Sequence, residues 1–490
     1  MQMNAVTYAF WNIISAQPFP WNRIQDCTIS HCLPIDFMPE MKFYFVFILQ
    51  LHFLAQAISD SEIQIGYQVT LAIPTEYTKG FTGRAFLIEA EQMPPMFRAA
   101  INVEAVDQKY SCSLDVFLAD VRVWSSGHLS RFYATEKCVL ELTKDGDLRL
   151  KGQKERVGWR SGTSGQGVER LYLLRTGNLV LVDAGNFIKW QTFNFPTDVM
   201  LWGQSLSSQT RLTSFPKNST MSYSFEIQYN KIALYLNVDK WKYSYWELRP
   251  AGDQNITHLQ LTSNGLVIFN GRQKVGRVAS IGPDPPRFLT LGGSTGNLGL
   301  YYYSTEKRKF EASFQAINST CDLPLACEPH GICTSSGCSH FNIKGDLDDL
   351  CGGRGTEMME LEGVASVLNG GVYQANVTKK ECVDLCLDDC TCAATQYAVA
   401  DEDSRKGQCS LYRMARGIKK VEGEGGRRAI YMAKVRKGTT DEHGKNSRLK
   451  KWMIILIVVV DGFILFAVLG GLGYCVIRKR RNAASRQAAN

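Results

Sequence analysis

The sequence predicts a mainly β ectodomain of several small modules carried on one membrane helix. Three observations lead there. Two apolar stretches of unequal length bracket most of the chain, short alternating runs with glycine turns recur between them, and cysteines crowd into one segment. The first apolar stretch, residues 41–57, has a basic start at Lys42, a short apolar run and an Ala55-Gln56-Ala57 ending. It reads as a cleavable secretory signal, too short to span a bilayer, although Gln50 and His52 interrupt its core. Residues 1–40 carry no strong pattern; translation from Met41, or loss of this extension with the signal, accounts for them. The second stretch, residues 452–477, is 26 residues long. As a helix that is about 39 Å, enough to cross roughly 30 Å of hydrocarbon with tilt. Arg478-Lys479-Arg480-Arg481 follows it, as a cytoplasmic stop requires. Arg448, Lys450 and Lys451 flank the outer side as well, so the orientation rests on the signal. The expectation is a single-pass type I protein of the plasma membrane, with residues 58–451 outside and 478–490 as a cytoplasmic tail.

Cysteine usage agrees with export. Of 15 cysteines, Cys27 and Cys32 precede the signal and Cys475 lies at the inner end of the membrane helix. The other 12 fall in the outer segment, an even number suited to disulfides in an oxidising compartment. Four N-x-S/T sequons, at Asn218, Asn255, Asn318 and Asn376, lie in the same segment. The net charge of +8 comes from basic residues around the membrane helix. No secreted stretch is densely basic, so nucleic acid is not an expected partner.

The first part of the outer segment reads as strand throughout, as in the alternating run Asp115–Trp124. Leu142-Thr143-Lys144-Asp145-Gly146-Asp147-Leu148-Arg149-Leu150 matches Leu173-Leu174-Arg175-Thr176-Gly177-Asn178-Leu179-Val180-Leu181. Each places a glycine turn between apolar strands, and the two glycines are 31 residues apart. Asn264-Gly265-Leu266-Val267-Ile268 and Gly296-Asn297-Leu298-Gly299-Leu300 repeat the pattern, with Gly265 and Gly296 again 31 apart. Trp124, Trp159 and Trp190 keep a similar beat, which suits large rings filling the axis of a small prism. Two related all-β domains are expected, at 66–205 and 215–315.

Gly177-Asn178-Leu179-Val180-Leu181, followed by Trp190-Gln191-Thr192-Phe193-Asn194-Phe195-Pro196-Thr197-Asp198, resembles the signature of plant bulb-type (mannose-binding) lectin domains. The resemblance implies a β-prism fold for the first domain and, from a more divergent sequence, a second lectin-like prism. Cys112 and Cys138 would brace the first. Cys321-x5-Cys327-x5-Cys333-x4-Cys338 has ligand-like spacing with His330 and His340, yet exported thiols oxidise and zinc is not expected. Residues 317–345 look instead like the EGF-like module of S-domain receptor kinases, which implies the pairs Cys321–Cys333 and Cys327–Cys338. The family's usual C-x-C is replaced by Cys338-Ser339-His340, so one bridge of the usual set is missing.

Residues 351–435 form the last module. Thr378-Lys379-Lys380-Glu381 is a capping box opening a helix with Cys382, Leu385 and Cys386 on one face. With Cys390-Thr391-Cys392 and Cys409, this run resembles a plant PAN/apple domain, an α+β unit. The resemblance implies bridges Cys382–Cys409 and Cys386–Cys392, with Cys390 taking Cys351. Residues 436–451 are polar without apolar periodicity and read as a flexible stalk.

The order lectin, EGF-like, PAN and membrane helix resembles the outer half of an S-domain receptor-like kinase, and the 13 residues after the helix hold none of the kinase motifs. Mannose recognition by the family uses a Q-x-D-x-N-x-V-x-Y strand. The aligned residues are Thr143, Asp145, Asp147, Arg149 and Lys151, then Leu174, Thr176, Asn178, Val180 and Val182. Of the motif, Asp145 survives in the first strand, Asn178 and Val180 in the second, too few to converge on sugar hydroxyls; Asp145 and Asn178 serve turns on this reading. Catalysis is not expected: no H-E-x-x-H occurs, and Gly162-Thr163-Ser164-Gly165-Gln166 fails G-x-S-x-G at its last position. No cofactor is expected either. Asp461 stands alone among apolar residues of the membrane helix, where pairing with a partner helix is one role, and Ala467 and Gly471 would permit close approach. The functional expectation is a plant surface glycoprotein that binds an extracellular glycan or protein ligand without catalysis. The alternatives are a co-receptor or decoy for S-domain kinases, and a cell-wall structural glycoprotein.

Overall fold

The computed structural model describes residues 62–90, 94–216, 220–327, 329–340, 355–370, 372–399, 406–421, 429–436 and 443–487. The expected extension and signal, Asn218 and Cys351 lie outside these residues. Strand makes up 51% of the chain and helix 12%, and the class is mainly β.

Residues 62–191 build three sheets, all with antiparallel pairing. In each, a hairpin of two strands is extended by a third strand and closed by an earlier one. The central pairs are Phe97–Val106 with Lys109–Leu118, Lys137–Leu142 with Leu148–Lys151, and Val168–Leu173 with Leu179–Asp183. The third strands, Val121–Ser125, Val157–Arg160 and Ile188–Gln191, each carry one tryptophan. Trp124 lies opposite Val116, Trp159 opposite Leu150 and Trp190 opposite Leu181. The three indoles meet edge to face with centroids 5.7–6.2 Å apart, so the sheets converge on a common axis. Cys112 is bonded to Cys138, tying two of these sheets together inside the core.

Residues 199–315 repeat the plan with three four-stranded sheets. Their outer strands are Val199–Leu201, Ser205–Ser207 and Leu212–Ser214, which pair with Phe288–Leu291, His258–Thr262 and Ser222–Ile227. The sequence expectation ends the first domain at 205, whereas the strands from 199 onward pair with the later set. Gly265 and Gly296 are not equivalent despite their spacing. The turn before Gly265 is a two-residue link, so Gly265 already pairs, with Thr262, whereas Gly296 sits in the longer loop before Leu298.

The remaining described strands form two sheets. Gly331–Thr334 and Gly337–His340 make a hairpin, with Cys321 bonded to Cys333 and Cys327 to Cys338. Ile332 pairs in parallel with Ile418 of the later segment Ile418–Lys420, which also pairs with Val364–Ser366. The two segments read from sequence as separate modules therefore share one sheet. A five-stranded sheet, in the order Thr356–Leu361, Ala429–Arg436, Ala394–Ala398, Gly407–Tyr412, Val372–Val377, carries the helix Lys379–Asp388. Thr378 and Glu381 form the reciprocal cap: the Glu381 amide donates to Thr378 Oγ1 at 3.2 Å and the Thr378 amide to Glu381 Oε2 at 2.6 Å. Cys382 is bonded to Cys409 and Cys386 to Cys392, all buried; Cys390 is also disulfide-bonded.

A second helix runs from His443 to Gln487, and Val458–Arg478 within it is long and apolar enough to cross a membrane. Residues 443–451, read from sequence as stalk, are helical. They contain no proline and several good helix formers, so the helix propagates backwards from the apolar segment.

Candidate functional site

The strands aligned with the sugar-binding motif begin at the glycine turns. Gly146 and Gly177 have φ of +85° and +84°, a region that penalises any side chain. A Cβ on Gly177 would also stand 2.5 Å from Phe97 and 2.7 Å from Leu201. After the first turn, Asp147 is 1% exposed. Its carboxylate accepts from Arg149 Nε at 2.7 Å, Ser161 Oγ at 3.0 Å, and the amides of Gly162 and Thr163 at 2.8 and 3.2 Å. Burial pushes its pKa up, but these donors outweigh burial and hold it below the ordinary aspartate value. Thr143 Oγ1 accepts from the Asp147 amide at 2.9 Å and closes the turn. Asp145 is held by the hydroxyl of Ser164 and stands 3.7 Å from Arg149. Lys151, at the motif's tyrosine position, is paired with Glu141 at 2.8 Å and Glu155 at 2.6 Å.

The second strand behaves alike. Asn178 donates from Nδ2 to Gln191 Oε1 at 2.7 Å, while its Oδ1 accepts from Thr192 Oγ1 at 3.1 Å and the Phe193 amide at 3.2 Å. It is 4% exposed, and Val180 is buried beside it.

A third strand of the same kind escaped the sequence reading. Counting back from the tryptophan partners aligns Val116 with Leu150 and Leu181, hence Ser113 with Asp147 and Asn178. One hydrogen bond recurs in all three sheets and confirms the alignment. The amides of Leu114, Leu148 and Leu179 donate to the hydroxyls of Ser126, Ser161 and Thr192 at 2.9, 3.0 and 3.0 Å. Its equivalence to the other two has no glycine to mark it, because the turn before it, Asp107-Gln108, has none although both residues have positive φ. The tryptophan spacing was the usable signal. In this third strand Asp115 is fully buried and accepts from Ser125 at 2.7 Å, with Arg122 3.6 Å away. Burial pushes its carboxyl up, against the pull of Arg122. On the first two strands, then, most polar groups at the motif positions are spent on partners within the protein, and on the third a buried aspartate is held by its neighbouring strand.

Among the described residues, two of the cavities bear on the site. One, of about 420 Å³, opens over the tryptophan triad, with Phe195 stacked on Trp190 at 5.8 Å. The other, of about 320 Å³, lies between the first and second sets of sheets and is lined by Arg175, Thr176, Trp202, Ser263 and Arg287. Among the described residues no group of three or more histidine, cysteine or acidic side chains is placed to hold a metal ion. Of the sequons, Asn318 and Asn376 are exposed and Asn255 is partly so. Asn376 is the bulged residue of its strand, with φ of +61°.

Residues 123–224 match the family described as D-mannose binding lectin. The chain carries a bulb-type lectin domain. It is homologous to plant G-type lectin S-receptor-like kinases and to PAN-domain proteins. A G-type lectin S-receptor-like serine/threonine-protein kinase of Arabidopsis thaliana is 24% identical over 442 residues, covering 73% of this chain and 48% of the relative. A PAN domain-containing protein of the same plant is 26% identical over 284 residues, covering 52% of this chain and 56% of the relative. The chain thus spans about half the length of these relatives. A solved monomeric mannose-binding lectin of Gastrodia elata aligns with 27% of this chain and 96% of its own at 21% identity, with a TM-score of 0.18. The bulb-type lectin domain starts, in the family match, one residue before Trp124, so the match takes in the whole tryptophan triad.

Proposed function

We propose that this chain is a recognition protein of the plant cell surface, displayed on one membrane helix, that binds an extracellular carbohydrate or protein ligand without catalysis. The bulb-type lectin domain at 123–224 carries this reading. The spent motif strands argue that simple mannose is not its ligand, because a hexose needs several free, converging donors and acceptors. Residues 351–435 fit a PAN-type unit, and the receptor-kinase relatives suggest a kinase as signalling partner, through the ectodomain or through Asp461 of the helix.

A glycan array probed with the full chain in detergent, beside affinity purification from plant membranes, tests this. The expected result is no binding to mannose, with binding to another glycan or a co-purified surface protein. Strong mannose binding abolished by Asn178→Ala would overturn the exclusion of mannose. Absence of both glycan and protein ligands would overturn the recognition role itself. Loss of kinase association on Asp461→Leu would place that contact in the membrane, and unchanged association would remove Asp461 from it.

A further inference from the structure

The cleft between the two sets of sheets contains a cation without a counter-charge. Arg287 is partly buried, and among the described residues its guanidinium has neither hydrogen-bond nor ion-pair partner. Burial alone pulls its pKa below the usual arginine value, and no carboxylate acts against that pull. An arginine withdrawn from water without a partner costs free energy that an incoming anion would recover. Arg175, exposed on the turn before Gly177, lines the same cavity and is also unpaired among the described residues. Asp284, three residues before Arg287, lines a neighbouring depression with Arg277 and forms no ion pair with Arg287. Among the described residues, the lining of the cleft includes no acidic one.

Its other walls have a matching character. Trp202 is 49% exposed, an expensive surface for an indole to leave in water. Thr176 and Ser263 bring hydroxyls to the rim. The parts are held rigidly: the Trp202 amide donates to the Arg287 carbonyl at 3.3 Å, and Gly177 lets Phe97 and Leu201 close directly under the turn. Two guanidinium forks, an indole face and two hydroxyls are the components that recognise a carboxylated sugar ring. The forks take the carboxylate in paired hydrogen bonds, the indole covers the C–H face, and the hydroxyls meet ring oxygens.

We propose that this cleft binds a carboxylate-bearing saccharide, a uronic-acid oligomer, at a place separate from the three motif strands. The proposal rests on the carbohydrate-binding reading above and names its ligand class. A cavity of about 320 Å³ admits a small part of an oligomer, and its open mouth leaves the rest outside.

Titration calorimetry on the full chain in detergent, with a galacturonic-acid trimer, a neutral galactose trimer and a glutamate-rich peptide as probes, provides the test. The expected result is binding of the uronate alone, weakened roughly tenfold or more by Arg287→Gln and by Trp202→Ala and less by Arg287→Lys. Arg175→Gln, on an exposed turn, should weaken it without moving the melting temperature. Uronate binding unchanged in all four variants would overturn the site. Binding of the neutral trimer but not the uronate would overturn the proposal while leaving the carbohydrate reading intact. Arg287-dependent binding of the peptide alone would overturn the saccharide and leave a protein ligand. No binding of any probe would overturn the proposal too, and the glycan array then decides the wider reading separately.

Discussion

Asp147 stands where the resembling motif has a sugar-binding residue, and its role here is structural. Its carboxylate takes four donors from its own hairpin and the following loop, and at 1% exposure it does not face outward. Asp147→Ala should destabilise the lectin domain by about 3 kcal/mol, since buried amides lose a charged acceptor; the melting temperature of the purified chain reports it. The pH response follows from the same bonds. The folded pKa is depressed below the unfolded value of about 3.9, so this stabilisation is complete above that pH and is lost as pH falls through the folded value. Melting temperature followed from about pH 6 downward should therefore drop below about pH 4, and less steeply in Asp147→Asn.

Residue-level legibility was uneven for the same reason. The glycine turns and the run from Trp190 to Asp198 announce the lectin resemblance, because backbone conformation and large rings write themselves into residue type. That Asp147 faces inward was not legible, because Ser161 and Thr163 approach it from another strand's end. Arg287 was equally silent, since whether a cation is paired is a property of the fold.

Among the elements, the helix Lys379–Asp388 is finished by an unusual residue. Lys434 is 1% exposed, and its ammonium donates to the carbonyls of Cys386, Leu387 and Asp389 at 3.0, 3.2 and 3.1 Å. These are orphan acceptors of the helix C-terminus, where positive charge is also favoured by the dipole. Burial pulls the Lys434 pKa down, and Asp389 and Asp388 pull against it. Lys434→Met keeps the stem and deletes the donors, so a loss of about 3 kcal/mol is expected. Faster amide exchange over 382–389 in hydrogen–deuterium exchange would check it; unchanged exchange would contradict the assignment. The capping box at the other end was visible in four consecutive residues. The C-terminal cap was not, because its donor comes from a strand more than forty residues later. The start of the long helix at His443 was missed because polar residues with good helix propensity look like spacer until an apolar helix follows them.

At the scale of the molecule, alternating runs and turns sufficed to announce a mainly β chain, but its seams run where the sequence does not mark them. Cysteine density separates the hairpin at 331–340 from the later residues, yet Ile332 and Ile418 are neighbours in one sheet. One apolar cluster also extends from Leu259 and Leu300 through Leu323 to Met414 and Tyr431. Cooperative behaviour should follow. Replacing Cys327 and Cys338 by serine removes a bridge worth about 2–4 kcal/mol, and it should raise amide exchange at Ile418–Lys420 as well as in the hairpin itself. Exchange confined to the hairpin would show that the two segments open independently.

The shared sheet has a consequence for any fragment of this chain. A piece cut between the hairpin and Ile418 would leave the backbone of Ile332 and Cys333 with bare amides and carbonyls along a free edge, a surface that invites another strand to settle on it. Shedding by a protease at that seam would turn a quiet border into an adhesive one.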